Sequence, residues 1–157
     1  MEDKLRKMSK KKEKTLVIIK PDGVQRKLIG EALRRFEQAG LDITHLEIKK
    51  IKKSIARKFY GHLKTKIHPK IFDNIVEYMT SGKVVIGLIE GENASKRVRE
   101  ICGSTNPKIA PRGTIRGDFG VDDLALCAKK KKATKNIIHS SESHMHAKRE
   151  FKLLRGK

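Results

Sequence analysis

The sequence of 157 residues is poor in aromatic side chains, which make up 4% of it, and it contains no tryptophan and only two cysteines. Cys102 and Cys127 are too few for a disulfide framework and lack the spacing of metal ligands. No apolar run approaches the roughly 18 residues that a membrane-spanning helix needs. Residues 1–14 (MEDKLRKMSKKKEK) lack the apolar core of a secretory signal. These absences exclude a disulfide-rich secreted domain and an integral membrane protein, and they predict a cytoplasmic location.

Negative charge is also scarce: Lys and Arg number 38 and Asp and Glu 18, so the formal net charge is +20. Such an excess predicts polyanionic partners, among them nucleic acids, anionic membrane surfaces and phosphorylated small molecules. Basic residues cluster at 10–12, 49–50, 52–53 and 129–132, but no aromatic residues are interleaved with the basic residues of these clusters. The stacking platform of a single-strand-binding protein is therefore missing. Non-specific nucleic-acid binding through this basic surface stays an alternative, as does a lysine-rich surface that has no partner.

The apolar pattern up to residue 103 predicts alternating strands and helices. Short β-branched or alternating runs predict strands, and apolar residues at helical spacing predict helices. The tripeptide Pro21-Asp22-Gly23 predicts a turn directly after the first strand. Because hairpin signals are missing, we expect one α/β sheet with helices packed on it. The predicted strands are 15–19, 42–51 and 84–89, and the predicted helices are 29–39, 54–63, 69–80 and 94–102.

The character of the chain changes at residue 104. Residues 104–135 are rich in Gly, Pro, Arg, Asp and Lys and predict a long loop, which in a compact domain is usually functional or disordered. Residues 136–139 predict a last strand, and residues 142–154 predict a last helix. We expect a basic flexible arm at 1–13, followed by a single domain at 14–157.

Phosphate groups would have to be bound by side chains in this protein. Residues 20–23 (KPDG) lack the spaced glycines and the trailing Lys-Ser/Thr of a phosphate-binding loop. The candidate cations are Lys20 at the end of the first strand, Arg99 on a helix, and Arg116 in the stretch GTIRGD. Each of them, taken alone, has an ordinary solvated surface residue as its alternative.

His139 is the more informative candidate, because it follows an apolar strand and precedes the serine-rich segment 140–143. An imidazole at that place lies beside a helix N-terminus, where anions are favoured. Glu150 on the same helix can orient the imidazole and leave one ring nitrogen as a nucleophile. A structural, hydrogen-bonded histidine is the alternative. Metal ligation by His139, His144 and His146 together is not expected, since the last two project from nearly opposite sides of a helix.

Six segments, in this order, closely resemble the nucleoside diphosphate kinase family: KPDGVQR (20–26), RRFEQ (34–38), YMTSG (78–82), STNP (104–107), GTIRGDF (113–119) and NIIHSSES (136–143). The last segment resembles the family's active-site signature, Asn-Ile-Ile-His followed by Ser/Gly-Ser-Asp/Glu-Ser. The resemblance extends over residues 14–154. It implies a ferredoxin-like α/β sandwich, with a four-stranded antiparallel sheet in a β-α-β-β-α-β core and added helices.

The same resemblance implies a phosphotransferase that works by a ping-pong mechanism. The γ-phosphoryl group of a nucleoside triphosphate would pass to His139, and a nucleoside diphosphate would then take it from the phosphohistidine. Mg²⁺ would be held mainly by the nucleotide's phosphates, with no dedicated protein ligands. The alternative is a kinase-like fold that binds nucleic acid through its lysine clusters.

The family pattern also implies a role for each matching residue. Beside the transferred phosphoryl it places Lys20, which also reaches the ribose, and Tyr60. At the β-phosphate it places Arg99 and Thr105, with Arg116 bridging the terminal phosphates. Asn136 matches the residue at the sugar 3′-hydroxyl, while Glu150 and Ser141 match the groups that support His139.

Two departures from the family pattern affect these expectations. Extra residues at 64–70 leave two candidates, Ile71 and Phe72, for the position of the family's base-stacking phenylalanine. A longer insert at 121–135 is expected to form a surface excursion near the site or a subunit contact. The resemblance implies a homo-oligomer, either a tetramer or a hexamer.

Overall fold

The computed structural model describes residues 11–156, and the fold is built on a four-stranded antiparallel sheet. The strands are β1 (Lys12–Ile19), β2 (Asp42–Lys50), β3 (Lys83–Glu92) and β4 (Ile138–Ser140), in the order β2-β3-β1-β4. The sheet implied by the sequence resemblance is therefore confirmed. Most of the predicted basic arm, residues 1–10, lies outside the described residues, and β1 begins at Lys12.

Helices cover both faces of this sheet, as expected when a strand's two faces are both apolar. None of the helices within residues 11–156 is long and apolar enough to cross a membrane. Their bounds are α1 Pro21–Gln25, α2 Ile29–Gln38, α3 Lys53–Phe59, α4 Pro69–Thr80, α5 Ala94–Cys102, α6 Ile115–Phe119, α7 Leu124–Lys129 and α8 His144–Leu154, with 3-10 turns at Gly61–Leu63 and Pro107–Ile109.

Two apolar cores result from the alternation of side chains along β1. Leu16 and Ile18 face α3, α4 and α8, where they join Phe59 and Met79 among the buried residues. Val17 and Ile19 face the opposite way and join the buried side chains of α2, α5 and α6. Because β1 is buried on both faces, packing fixes the position of its last residue and therefore of Lys20, which follows it.

The pairing of β1 with β4 brings candidate site residues from the first and the last strand next to each other. Ile18 pairs with His139 and Ile19 pairs with Ile138, so His139 lies beside the last residues of β1. The Lys20 backbone N–H donates to the Ile137 carbonyl oxygen at 2.7 Å, which continues the contact beyond the strand. Residues far apart in sequence therefore meet at one corner of the sheet.

Two parts of the sequence prediction are wrong. The predicted turn at Pro21-Asp22-Gly23 is the first turn of helix α1, because a proline at the first helical position has the φ angle that a helix needs. The predicted long loop at 104–135 contains a 3-10 turn and the helices α6 and α7. Short helices of five or six residues carry too few apolar positions for a periodic signal.

The insert at 121–135 is hydrogen-bonded to its neighbours and does not form a detached loop. Asp123 caps α7, with its Oδ1 accepting from the Ala125 N–H at 3.1 Å. Asn74 on α4 donates through Nδ2 to the Lys131 carbonyl oxygen at 2.5 Å. Asp122 Oδ2 accepts from the Lys135 N–H at 2.8 Å. The Asn74 contact joins the insert to α4, and the other two fix the conformation of the insert, so its helix has a defined position.

The corner of the sheet around Gly23 is packed too tightly to accept a larger side chain without a shift of its neighbours. A Cβ at Gly23 would lie 2.9 Å from the Ile137 carbonyl oxygen and 2.9 Å from Ile19 Cγ2, whereas one at Gly30 in α2 would meet nothing within 4 Å. We expect Gly23→Ala to lower the free energy of unfolding by about 1–3 kcal/mol, since packed atoms must shift. Gly30→Ala is the matched control and is expected to raise it by about 0.5–1 kcal/mol. Urea unfolding monitored by circular dichroism measures both, and an equal effect of the two substitutions would contradict this packing.

Candidate active site

A cleft of about 1520 Å³ opens at the corner where β1 ends and β4 begins. Nine of the side chains singled out from the sequence line this cleft, whereas Phe72 and Ser141 lie behind its wall among the buried residues. The structure therefore gathers candidates from well-separated parts of the chain into one site. Those that line it are Lys20, Tyr60, Ile71, Arg99, Thr105, Arg116, Asn136, His139 and Glu150.

His139 lines the cleft, and its imidazole ring is hydrogen-bonded to a carboxylate. Its Nε2 is 3.0 Å from Glu150 Oε2, and the edge of the Phe59 ring packs against it with 5.1 Å between centroids. Burial lowers the pKa of His139, and the Glu150 carboxylate opposes this only in part. The imidazole is therefore neutral at pH 7. Because an ionised carboxylate can only accept, Nε2 carries the proton and Nδ1 keeps its lone pair.

Glu150 is a buried carboxylate whose charge is maintained by its hydrogen bonds. Burial alone would raise the pKa of Glu150, but the hydrogen bond with His139 and the one from Ser141 outweigh it and bring the pKa below its usual value. The Ser141 hydroxyl donates to the same Oε2 that contacts His139. This fixes the carboxylate in one orientation, so the His139 ring is oriented as well.

Lys20, which directly follows β1, contributes an amine to the lining of the cleft. Its Nζ donates to Asn136 Oδ1 at 2.7 Å, and Asn136 Nδ2 donates to the Thr105 carbonyl oxygen at 3.0 Å. Burial, followed by the positive charge of Arg116, lowers the pKa of Lys20 to about 7, and Asp22 partly opposes this shift. A bound anion would favour the charged form of this amine.

Arg116 is a buried guanidinium that holds the backbone at the entrance to β4. It donates to the carbonyl oxygens of Gly103 (2.7 Å), Asn136 (3.3 Å) and Ile138 (2.5 Å). Burial lowers its pKa, yet a guanidinium stays protonated in proteins. Since a guanidinium has five N–H groups, donors remain for a ligand in the cleft.

Tyr60 and Arg99 complete the polar lining from two helices. Tyr60 directly follows α3, and its buried hydroxyl has no hydrogen-bond partner within the part of the chain that the structure describes. Burial raises the pKa of Tyr60, so the hydroxyl stays protonated and can donate to a ligand. Arg99 on α5 is exposed at the cleft, as is Thr105 in the following loop.

The two candidates for base contact are in different environments. Phe72 is only 4% exposed and belongs to the core, whereas Ile71 lines the cleft together with Ile75. Leu124 and Ala128, spaced four residues apart on α7, also line it. The part of the cleft beside α4 and α7 is thus aliphatic, and one of its walls belongs to the insert.

Sequence reasoning missed the feature that joins these parts, a strained γ-turn at Ile137. This residue has φ of +75°, and the Ile138 N–H donates to the Asn136 carbonyl oxygen at 2.8 Å across it. A β-branched residue in this region costs about 1–3 kcal/mol. The turn is held by Asp22, whose Oδ2 accepts from the Ile137 N–H at 3.1 Å. Asp22 was visible only as part of a turn signal, and nothing in the pattern showed that it is buried.

The three histidines weighed as metal ligands have separate partners. His144 Nδ1 lies 2.7 Å from the Lys14 carbonyl oxygen, and His146 Nδ1 lies 2.8 Å from Ser143 Oγ. Among residues 11–156, no group of three or more His, Cys, Asp and Glu side chains could hold a metal ion.

Comparison with known proteins points to a single family. The family profile described as nucleoside diphosphate kinase matches residues 13–156. The nucleoside diphosphate kinase of Methanocaldococcus jannaschii is 41% identical over 142 residues, which cover 90% of this chain and 92% of that protein. That of Saccharolobus islandicus (strain L.S.2.15) is 43% identical over 141 residues, which cover 90% and 93%.

Solved structures of the same kind share the fold. A transition-state mimic of the nucleoside-diphosphate kinase from Borrelia burgdorferi, with bound vanadate and ADP, matches with a TM-score of 0.85 at 33% identity, covering 90% of this chain and 86% of that one. An NDP kinase from Pyrobaculum aerophilum matches with a TM-score of 0.82 at 34% identity, covering 91% and 95%. The sequence resemblance is confirmed by both kinds of comparison, and the chain belongs to the nucleoside diphosphate kinase family.

Proposed function

We propose that this chain transfers the γ-phosphoryl group of a nucleoside triphosphate to a nucleoside diphosphate, by a ping-pong mechanism through a phosphohistidine at His139. One arrangement carries the proposal: a neutral imidazole, held at Nε2 by Glu150 and with Nδ1 unprotonated, lines a cleft together with Lys20, Arg99 and Arg116. A neutral ring with a free lone pair is a nucleophile, and the cations suit the phosphates that it would attack.

In the first half-reaction, a bond forms between His139 Nδ1 and the γ-phosphorus. The bond from that phosphorus to the bridging oxygen breaks, and the nucleoside diphosphate leaves with the electron pair. The ring gains positive charge, which the Glu150 carboxylate at 3.0 Å balances. In the second half-reaction, the terminal phosphate oxygen of another diphosphate attacks the phosphohistidine and restores the neutral imidazole.

The cations stabilise charge that spreads over the phosphate oxygens during the transfer. Phosphoryl transfer depends mainly on positioning and on fixed positive charge. Lys20 and Arg116 lie near one another at the catalytic corner, Arg99 lines the cleft from α5, and the unpartnered Tyr60 hydroxyl can donate to the moving phosphoryl. Thr105, which lines the cleft, would contact the β-phosphate, and Ser141 would act through Glu150.

Mg²⁺ fits this site as a companion of the substrate. It prefers oxygen ligands, keeps several waters and commonly binds through substrate phosphates. The side chains that line the catalytic corner are cations, a hydroxyl and an amide, and its carboxylate, Glu150, already contacts His139 and Ser141. Lys20, Arg99 and Arg116 would hold the metal–nucleotide complex through its phosphates, and the metal would supply further neutralisation of their charge.

The nucleoside would lie toward the insert. The Asn136 amide and Lys20 would contact the sugar hydroxyls, and Ile71 and Leu124 would border the base. Phe72 is buried in the core, which favours Ile71 as the base contact. An aliphatic slot packs against any base by dispersion, so broad base specificity is expected.

We also propose that the protein is a homo-oligomer, a tetramer or a hexamer, located in the cytoplasm. β2 is an edge strand of the sheet, and its outward side chains Leu46 and Ile48 are 48% and 59% exposed. An exposed apolar edge strand is prone to pair with another chain. The free cysteines Cys102 and Cys127 suit a reducing compartment.

The role of His139 predicts that no phosphoenzyme forms without it. Incubation with γ-labelled ATP should give an acid-labile, protein-bound phosphate that an added nucleoside diphosphate removes. His139→Gln should abolish both, and Glu150→Gln should slow phosphorylation by about 10²–10⁴-fold, because the carboxylate no longer balances the ring charge. Rapid-quench measurement with circular dichroism as a folding control distinguishes these variants.

Full label transfer by His139→Gln would contradict the proposal. The nucleic-acid alternative predicts instead a tight, steeply salt-dependent association with nucleic acid that survives this substitution.

The proposed base contact of Leu124 can be tested against a matched control residue on the same helix. Leu124 lines the cleft, whereas Leu126, two residues along α7, does not. We expect Leu124→Ala to raise KM for nucleoside diphosphates by about threefold to tenfold, since apolar contact with the base is lost. Leu126→Ala should leave KM unchanged. Steady-state kinetics with several diphosphates measures both, and equal KM values for the two variants would place the base elsewhere.

The exposed edge of β2 predicts the effect of adding charge there. Leu46→Lys together with Ile48→Lys should shift the protein to smaller species, because like charges would then face each other across the contact. Light scattering after size-exclusion chromatography gives the mass. Met145→Lys is the control, since Met145 is an exposed apolar residue on α8. An unchanged mass for the β2 variant would show that this edge is not an interface.

A further inference from the structure

Asp22 carries a buried carboxylate whose two oxygens serve different elements. The side chain is 7% exposed. Oδ2 accepts the backbone N–H of Ile137 at 3.1 Å, and Oδ1 accepts the hydroxyl of Tyr78 on α4. Burial and the Asp22 carboxylate raise the pKa of Tyr78, so its hydroxyl stays protonated and remains a donor. Burying a carboxylate costs free energy unless its oxygens are hydrogen-bonded, and both oxygens of Asp22 are.

The backbone that Asp22 holds is the γ-turn between two site residues. Asn136, directly before Ile137, accepts from Lys20 Nζ, and His139 follows two residues later. The same segment of chain holds both polar groups of Ile137, since the Lys20 N–H donates to its carbonyl oxygen and Asp22 accepts from its N–H. A rotation at Ile137 would therefore displace Asn136 and His139 relative to one another.

We propose that Asp22, supported by Tyr78, is a positioning residue for phosphoryl transfer. It holds the Ile137 turn in its left-handed conformation, so that the Lys20–Asn136 pair and the His139 imidazole keep one fixed relation. The assignment rests on the proposed function, and it adds to that function two residues that do not touch the reacting atoms. A backbone in a strained conformation persists only where surrounding contacts determine it, and Asp22 makes such a contact.

Asp22 has a second, electrostatic effect on the same corner. The groups that face Lys20 are Asp22 on α1, Tyr78 on α4, Arg116 on α6 and His139 on β4. Arg116 disfavours the charged amine and Asp22 favours it. The carboxylate thus helps to keep Lys20 cationic in the free enzyme, where burial and Arg116 lower its pKa to about 7.

A purely structural role for Asp22 would have a different signature. A side chain that only holds α1 in place would change the free energy of unfolding, and it would leave the pH dependence of the reaction unaltered. The positioning role predicts a loss in kcat from the misplaced turn, together with a shift in the pH profile from the lost charge. Tyr78→Phe separates the two effects, because it removes only the hydroxyl that orients the carboxylate.

The experiment compares Asp22→Asn, Tyr78→Phe and Asp73→Asn with the unaltered protein, using kcat and the pH profile of kcat/KM. Asp73 is an exposed residue of α4 paired with Arg57, so it controls for the loss of one negative charge. The profile of kcat/KM reports the free enzyme. Its alkaline limb falls as Lys20 loses its proton, and without the Asp22 charge the amine deprotonates more readily. Asp22→Asn should therefore move that limb to lower pH by about one unit.

Both Asp22→Asn and Tyr78→Phe should lower kcat by about tenfold, since a misplacement of the reacting groups slows transfer. Tyr78→Phe should leave the alkaline limb in place, and Asp73→Asn should change neither quantity. Wild-type kcat and an unshifted limb in Asp22→Asn would overturn the assignment. Absence of phosphoryl transfer in the unaltered protein would instead overturn the proposed function, so the two failures are distinguishable. Asparagine preserves the size of the side chain, but its single amide oxygen can accept only one of the two hydrogen bonds that the carboxylate accepts, so the variant stays folded while the contact with the turn or with Tyr78 is lost.

Discussion

The crowding of positive charge at a buried corner of the cleft is the constraint on which the site depends. Lys20 and Arg116 lie close enough that the positive charge of Arg116 disfavours protonation of the Lys20 amine. Both positive charges in turn disfavour protonation of the nearby His139 ring. Two buried carboxylates, Asp22 and Glu150, offset this only in part. The unligated corner is therefore less favourable than one that holds a polyanion, and a bound polyphosphate relieves the repulsion. Affinity for the phosphates and readiness for their transfer have the same physical origin.

How far the sequence could predict this arrangement depends on the distance between the residues that interact. The strand at 15–19 and the stripe of Phe72, Val76 and Met79 were predictable, because burial on a strand or helix leaves a periodic pattern. Asp22 and the Ile137 turn were not, since their hydrogen bond joins residues 115 positions apart. The individual roles in the cleft came from family resemblance, and the geometry then brought those residues together.

The net charge of +20 contributes to this account less than its size suggests. Lys20, Arg99 and Arg116 provide the positive charge that the proposed reaction needs, while other lysines are exposed away from the catalytic corner, among them Lys50 on β2 and residues 130–132 after α7. Fields from exposed charges are screened beyond about 8 Å at physiological ionic strength. The surface lysines can speed the approach of anionic substrates at low salt, but the proposed chemistry depends on the few cations that line the catalytic corner.

The central claim is that Glu150 binds Nε2 of His139 and leaves Nδ1 as the nucleophile, and the position of the phosphoryl group on the ring tests it most directly. Nuclear magnetic resonance of the phosphoenzyme, prepared with ¹⁵N-labelled histidine and ATP, distinguishes the two nitrogens by their coupling to ³¹P. The geometry predicts phosphorylation at Nδ1 with Nε2 still protonated against Glu150. Phosphorylation at Nε2 would require the ring to leave its carboxylate, and would contradict the account.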